Sequence, residues 1–225
     1  RWRSLLVARR TILNQMRSIE NVVRAILRED GLKLGTPSRA SFAPKVRESA
    51  EHRPVLLSLV EPLLAVLATM SEEFAVLTRR VVEIVRNEPI CRRLMQVPGV
   101  GPLTALAFRA TIDRPDRFRR SRDVGAHLGL TPSRYQSGET DIQGRISRCG
   151  DEIARTALYE AANVLLVRSR KWSSLRAWGM AVAKRRGMAR ARVAVARKLA
   201  VILHRMWRDG TDFCFGSKTK EAIAA

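Results

Sequence analysis

From Trp2 to Leu27 the apolar residues recur every three to four positions, through Leu6, Ile12, Met16, Ile19, Val23 and Leu27. That period predicts one long helix with a single apolar stripe, and Arg9, Arg10, Arg17 and Arg24 fall on its other face. Gly31, Gly35, Pro37 and Pro44 then predict a loop over 31–44. The stripe resumes between Val55 and Val85, through Leu59, Leu63, Leu67, Phe74 and Val81, with Pro62 expected to kink the helix or mark its start. Two such helices joined by a loop make an antiparallel hairpin. Its stripes must be buried against each other or against a second copy of the chain, so a dimerising arm and two helices of an ordinary bundle both stay open.

Beyond Asn87 and Pro89 the pattern changes to short apolar runs with Gly and Arg, which places a domain boundary at 88/89. Helical periodicity returns over 151–167 and 190–206. No alternating strand pattern of any length is visible, apart from a short hairpin expected near Tyr135 to Ile146. The fold class expected is mainly α: a helical arm over 1–88 and a second domain over 89–215. Basic helices are expected over 151–207 and a flexible tail over 216–225.

The 225 residues are enough for one or two domains and for a core without disulfides. With 46% hydrophobic and 28% charged residues, the chain is expected to fold. Lys and Arg number 42 against 21 acids, a formal net charge of +21. A polyanion relieves such an excess most directly, so nucleic acid is the first partner to consider. Every apolar stretch is interrupted by Arg, Glu or Pro, so no membrane partner is expected. Cys91, Cys149 and Cys214 form no C-x-x-C pair, which speaks against a zinc site or a disulfide framework and fits a reducing cytoplasm. Arg1 stands where a Met would, and the expectation is a chain that begins inside a longer protein.

Three stretches could carry chemistry. In the first, an apolar helix meets Pro98-Gly99-Val100-Gly101 and a second helix starts at Pro102. This predicts a helix-hairpin-helix over about 94–112, with Gly99 and Gly101 letting backbone N–H groups approach a DNA phosphate, or else a plain connection between packed helices. The second stretch, 125–150, concentrates Gly, Ser and Arg, the composition of a loop whose backbone approaches a ligand. A serine there can attack a phosphodiester if a base takes its proton and cations neutralise the pentacovalent phosphate. Ser133, Ser137 and Ser147 are the candidates, Ser137 foremost because Gly138 leaves its hydroxyl open; Tyr135 is a rival nucleophile. Arg134, Arg145 and Arg148 would supply planar donors for phosphate oxygens. His127 lacks a companion at triad or ligand spacing and reads as structural. The third stretch, Arg145 to Lys198, holds fourteen Lys and Arg against three acids and includes Trp172 and Trp178, which predicts a face that binds nucleic-acid backbone.

Pro98-Gly99-Val100-Gly101, Gly129-Leu130-Thr131-Pro132, Tyr135-Gln136-Ser137-Gly138 and Gly144-Arg145-Ile146-Ser147-Arg148-Cys149-Gly150 occur in this order. Together they closely resemble the carboxyl-terminal half of insertion-sequence-110 (IS110/IS116/IS902) family transposases, over roughly residues 1–215. The resemblance implies a DNA recombinase in which Ser137 forms a phosphoserine link to DNA, with Arg134, Arg145 and Arg148 around it. It implies a coiled-coil arm, a homodimer or higher assembly, DNA and a guide (bridge) RNA as partners, and a bacterial cytoplasmic, nucleoid-associated location. It further implies that magnesium is held by an acidic RNase H-like domain preceding residue 1. This chain, with no metal site or cofactor of its own, would then be inactive alone. The alternative is a non-catalytic nucleic-acid-binding and dimerisation module.

Overall fold

The computed structural model describes residues 1–216, and the protein is mainly α. Most of the expected tail, residues 217–225, lies outside the described residues. The chain divides into two compact units, Ser4–Arg80 and Arg1–Arg3 together with Val81 onward. The division falls within a helix, seven residues before Asn87.

The first unit consists of most of α1 (Trp2–Glu29), α2 (Arg39–Ser49) and the first part of α3 (Pro54–Asn87). Arg9 Nε donates to Thr78 Oγ1 at 2.9 Å, whereas Arg53 donates to the Asp30 carbonyl, so α1 and α3 run antiparallel. Met16, Val23 and Leu27 of α1 meet Leu56, Val60, Leu64 and Leu67 of α3 in one core. The loop expected over 31–44 is shorter than that, because α2 occupies its second half. Ser38 Oγ accepts from Ser41 N at 3.3 Å and caps the helix. Pro44 sits only two turns in, where its missing N–H removes a single bond to the Ala40 carbonyl, and burial of Phe42 and Val46 outweighs that loss.

Pro62 likewise stands inside α3 and does not begin it. Although Glu61 and Pro62 interrupt it as expected, α3 is by length and composition apolar enough to cross a membrane, with a mean hydropathy of 1.8 over 18 residues. The single charge among its first sixteen residues, Glu61, is engaged by the Arg47 guanidinium through two bonds, at 2.7 and 3.0 Å. The face of α3 away from the core exposes Val55, Leu59, Val66 and Val76, with spacing compatible with a seven-residue repeat.

The second unit is built around α9 (Met188–Arg208), against which α4 (Pro89–Leu94), α6 (Asp123–His127), α7 (Glu152–Asn163) and α8 (Ser174–Arg186) pack. Helix α5 (Pro102–Ile112) packs on α7, which continues into a wider turn over Val164–Arg168. The core is Leu94, Leu106, Phe108, Leu158, Leu199 and Leu203, all fully buried. Asp151 caps α7 by accepting from Ala154 N at 2.9 Å and pairs with Arg3. Gly179 lets α8 approach its neighbours: a Cβ there would stand 2.7 Å from both Leu166 and Val195. Two strands, β1 (Pro132–Ser137) and β2 (Thr140–Ile146), project between α6 and α7 as an antiparallel hairpin.

Candidate functional site

The hairpin lies where the sequence concentrates Gly, Ser and Arg. Ser137 pairs with Thr140, so only Gly138 and Glu139 connect the strands. Gly138 adopts φ +54° at the first central position, the residue and conformation that a type II′ connection requires. Nothing lies within 4 Å of where its Cβ would be. Ser137 is therefore the last strand residue before an open tip, exposed, with no side-chain hydrogen bond among the described residues.

The root of the hairpin is fixed where its tip is free. Ser147 N donates to the Thr131 carbonyl at 2.9 Å and Arg148 N to the Gly129 carbonyl at 3.1 Å. Arg155 Nη1 reaches from α7 to the Leu128 and Cys149 carbonyls at 3.3 and 3.0 Å. Gly129 and Gly150, both at positive φ, lie so close to the opposite chain that a Cβ would stand 2.3 Å from the Cys149 carbonyl oxygen and 2.0 Å from that of His127. These two glycines of the motif are packing glycines. Arg148 also holds a left-handed φ of +55°, a conformation costly for a residue with a side chain, which the surrounding bonds enforce.

Strand alternation separates the expected site residues. Tyr135 and Ser137 share one face with their partners Ile142 and Thr140. Arg134 and Gln136 share the other face with Gln143 and Asp141. Arg134 is not beside Ser137, and its fork is already filled: Nε and Nη2 donate to the two Asp141 carboxylate oxygens at 2.7 and 2.6 Å. That pair holds the Asp141 carboxyl below, and the Arg134 guanidinium above, its ordinary range. Ser133 points to Gly144 and donates to the Arg145 carbonyl at 3.1 Å; a Cβ at 144 would meet its hydroxyl at 2.5 Å. Ser147 lies at the root, where its hydroxyl accepts from Cys149 N at 3.5 Å. Arg145 and Arg148 are exposed. His127 packs edge-on against Phe118, and burial with the nearby Arg117 pushes its pKa down.

The Pro-Gly-Val-Gly segment is a turn between α4 and α5, capped by Gly101 with Pro102 in the first helical position. Gly99, at φ +91°, is pressed onto α7, where a Cβ would stand 2.4 Å from the Ala161 carbonyl oxygen. Its need for glycine is met inside the protein and requires no phosphate to explain it. Nothing lies within 4 Å of the Gly101 Cβ position.

Sequence reasoning passed over two arrangements that hold the second unit together. Arg109 lies between the rings of Trp2 and Trp207, 5.5 and 4.5 Å from their centroids, and pairs with Glu88 at 3.7 Å. His204 is fully buried, with Nε2–H donating to the Pro115 carbonyl and Nδ1 accepting from the Ser121 hydroxyl, both at 2.9 Å. Burial pushes its pKa down, so the ring is neutral at pH 7. Only the isolated His among apolar residues signalled this in the sequence, and Ser121 lies 83 residues away.

No three His, Cys, Asp or Glu converge among the described residues. Of the acids near the hairpin, Asp141 binds Arg134, Asp151 caps α7 and Asp123 faces Arg120 at 3.6 Å, while Glu139 stands at the exposed tip. The described residues thus do not fit a magnesium site, which needs converging carboxylates. Cations dominate the surface that follows. Between Glu160 and Asp209 there is no acid, whereas thirteen Lys and Arg occur on α8, α9 and the segment before them.

Residues 91–177 match the transposase IS116/IS110/IS902 family. This span takes in α5, the hairpin and α7. The transposase for insertion sequence element IS1111A of Coxiella burnetii is 29% identical over 89% of this chain and 56% of its own length. A family 20 transposase of Pseudomonas aeruginosa is 32% identical over 90% of this chain and 60% of its own length. The chain thus spans a little over half the length of these relatives, which cover both of its compact units. Residues 91–177 thus carry the domain of the IS116/IS110/IS902 transposase family, and the relatives that the chain resembles over most of its length are transposases.

Proposed function

We propose that the chain is the nucleophile-bearing part of a DNA transposase for insertion-sequence mobility, with Ser137 as the attacking residue. The observation that carries this reading is the open hydroxyl at the tip of a hairpin whose root is rigid. Such a tip can reach into a groove and place Oγ in line with a phosphodiester, while the body of the domain stays outside the duplex. The Oγ–P bond forms as a P–O bond to deoxyribose breaks, and the serine proton passes to a base. The released DNA oxygen is protonated in turn. The phosphoserine keeps the energy of the broken bond, so the reverse attack by a DNA hydroxyl rejoins strands without ATP.

Arg145 and Arg148 are the cations of the hairpin and its root that neutralise the developing phosphate charge. Arg134 acts in this reading by clamping β1 to β2 through Asp141, and would reach a phosphate only by giving up that partner. Gly101 offers the open end of α5 to DNA backbone; Gly99 shapes the same turn from within. No three acids converge among the described residues, so in this reading carboxylates for magnesium would be contributed from elsewhere in the assembled transposase. Unsupplemented, this chain would be inactive.

The exposed valines and leucine of α3 are assigned to a second copy of the chain, because their intervals of four, seven and ten residues fit one seam of a heptad pattern. DNA is the principal partner and a guide RNA the further one, which places the protein in the bacterial cytoplasm at the nucleoid. The test uses a full-length transposase carrying this sequence, with magnesium, guide RNA and nicked trap DNA. A protein–DNA adduct on a denaturing gel that disappears in Ser137→Ala supports the reading. An adduct that survives moves the nucleophile to Tyr135 or another serine.

A second reading, a non-catalytic nucleic-acid-binding and dimerisation module, is favoured by the acid-free stretch between Glu160 and Asp209. It predicts DNA binding without any adduct in the assembled complex. Both readings require affinity to fall steeply with salt, with a log–log slope near −0.9 per duplex phosphate contacted.

A further inference from the structure

The four tryptophans differ in what their rings touch. Trp2 and Trp207 face Arg109, and Trp178 lies under Lys198, whose Nζ is 4.2 Å from the ring centroid. Trp172 has no ring or cation partner among the described residues and is 61% exposed. An indole is among the most costly side chains to leave in water, and three of the four in this protein are engaged. The fourth is held out on a firm base. Next to it, Ser173 is fully buried and its Oγ accepts from Arg176 N at 3.2 Å. Ser174 N donates to the Phe215 carbonyl at 3.0 Å, fastening the segment after α9 to the start of α8. There Phe213 and Phe215 meet edge to face, with centroids 4.8 Å apart, and Phe215 is itself 38% exposed.

The surroundings of Trp172 define its partner. Arg168, Arg170 and Lys171 immediately precede it and all are exposed, with no acid between Glu160 and Asp209. A protein partner docking through an exposed aromatic would meet an apolar surround, whereas three of the four residues before Trp172 in the chain are cations. A flat aromatic face beside several fixed positive charges is the chemistry that receives a base and its neighbouring phosphates. The bases of a duplex are stacked on one another and offer no face, so the matching ligand is an unpaired strand.

We propose that Trp172 is a stacking platform for a base of an unpaired DNA strand, with Arg168, Arg170 and Lys171 on the adjoining phosphates. The inference rests on the DNA-acting reading above and adds to it the strand state that this surface holds, such as duplex opened beside a cleavage point.

The test measures binding of the 225-residue chain to a short oligo(dT), to a duplex of equal length and to oligo(U), by fluorescence anisotropy at fixed salt. Trp172→Ala should weaken oligo(dT) binding on the order of 10-fold and leave duplex binding unchanged, whereas Trp172→Phe should keep most of the affinity. An unchanged thermal midpoint in both variants shows that the exposed side chain was removed without unfolding the domain. Equal oligo(dT) affinity in Trp172→Ala would overturn the platform, as would an equal loss for single strand and duplex. A loss confined to oligo(U) would overturn the assignment to DNA in favour of RNA. Failure of the unaltered chain to bind any of the three would overturn the DNA-acting reading itself, and the platform with it.

Discussion

Two glycine turns of this protein carry the same kind of sequence signal and meet opposite fates. Pro98-Gly99-Val100-Gly101 and Ser137-Gly138-Glu139 each place a glycine with positive φ between two regular elements. At Gly99 the missing side chain is where the Ala161 carbonyl of α7 sits, so the glycine serves the core. At Gly138 there is only solvent, and the glycine serves the shape of the tip and the access of its neighbour, Ser137. A glycine in a motif therefore points to a ligand only once packing has been ruled out as its reason. By that measure the tip is the stronger candidate for chemistry, and the turn is first of all a joint between helices.

Substitution separates the two most sharply. Gly99→Ala combines an unfavourable φ with a backbone collision that no rotamer can relieve, and should cost on the order of 3 kcal/mol of global stability in a denaturant titration. A loss well under 1 kcal/mol would show that α5 and α7 are not locked as described.

The interior that Gly99 joins should also respond to acid. The folded pKa of His204 is lowered, so its neutral form contributes stability that is fully present above the unfolded value of about 6.5. That contribution declines as pH falls from there toward the folded value. Unfolding free energy should drop between pH 7.5 and 5.5, and His204→Ala, though less stable throughout, should show a shallower drop. An equally steep drop in the variant would assign the acid sensitivity elsewhere.

Gly138→Ala should leave global stability nearly untouched. Its left-handed φ costs an alanine about 1 kcal/mol, felt only in the hairpin, whose amides should exchange roughly fivefold faster with solvent. Smallest of all, Asp141→Ala should loosen the hairpin only slightly, since the Arg134 pair is exposed and screened by solvent. With the Asp141 pKa lowered, the pair's contribution is present at neutral pH and is lost as pH falls below the ordinary Asp value of about 3.9. A carboxyl chemical-shift titration reads this directly, and an Asp141 midpoint at or above that value would remove the clamp.

Much of the fold was legible because it is local. The periodic stripes gave α1, α3, α7 and α9, and the lack of periodicity around Tyr135 to Ile146 left room for the hairpin found there. Helix α2 was hidden because Pro44 is a strong breaker signal, and only contact of Phe42 and Val46 with α1 and α3 shows why the helix forms. The approach of Gly99 to Ala161 spans 62 residues, beyond any local pattern. The fate of Arg134 was hidden for a different reason. Its side depends on the strand register, and its partner Asp141 is a neighbour only after the two-residue turn has formed. Ser137 was the reverse case, since an adjacent glycine marks an open hydroxyl in sequence and in structure alike. Trp172 could not be told from the other tryptophans until three of the four were seen to hold a cation.

The central claim, that the open tip is the attacking group, is tested most directly by peptide mass spectrometry of the adduct trapped by the full-length protein on nicked DNA. Trypsin cleaves after Arg134 and Arg145, so Tyr135 and Ser137 share one peptide and fragment ions tell them apart. The account predicts a nucleotide phosphate on Ser137. A nucleotide on Tyr135, on Ser133 or on a peptide outside the hairpin would contradict it.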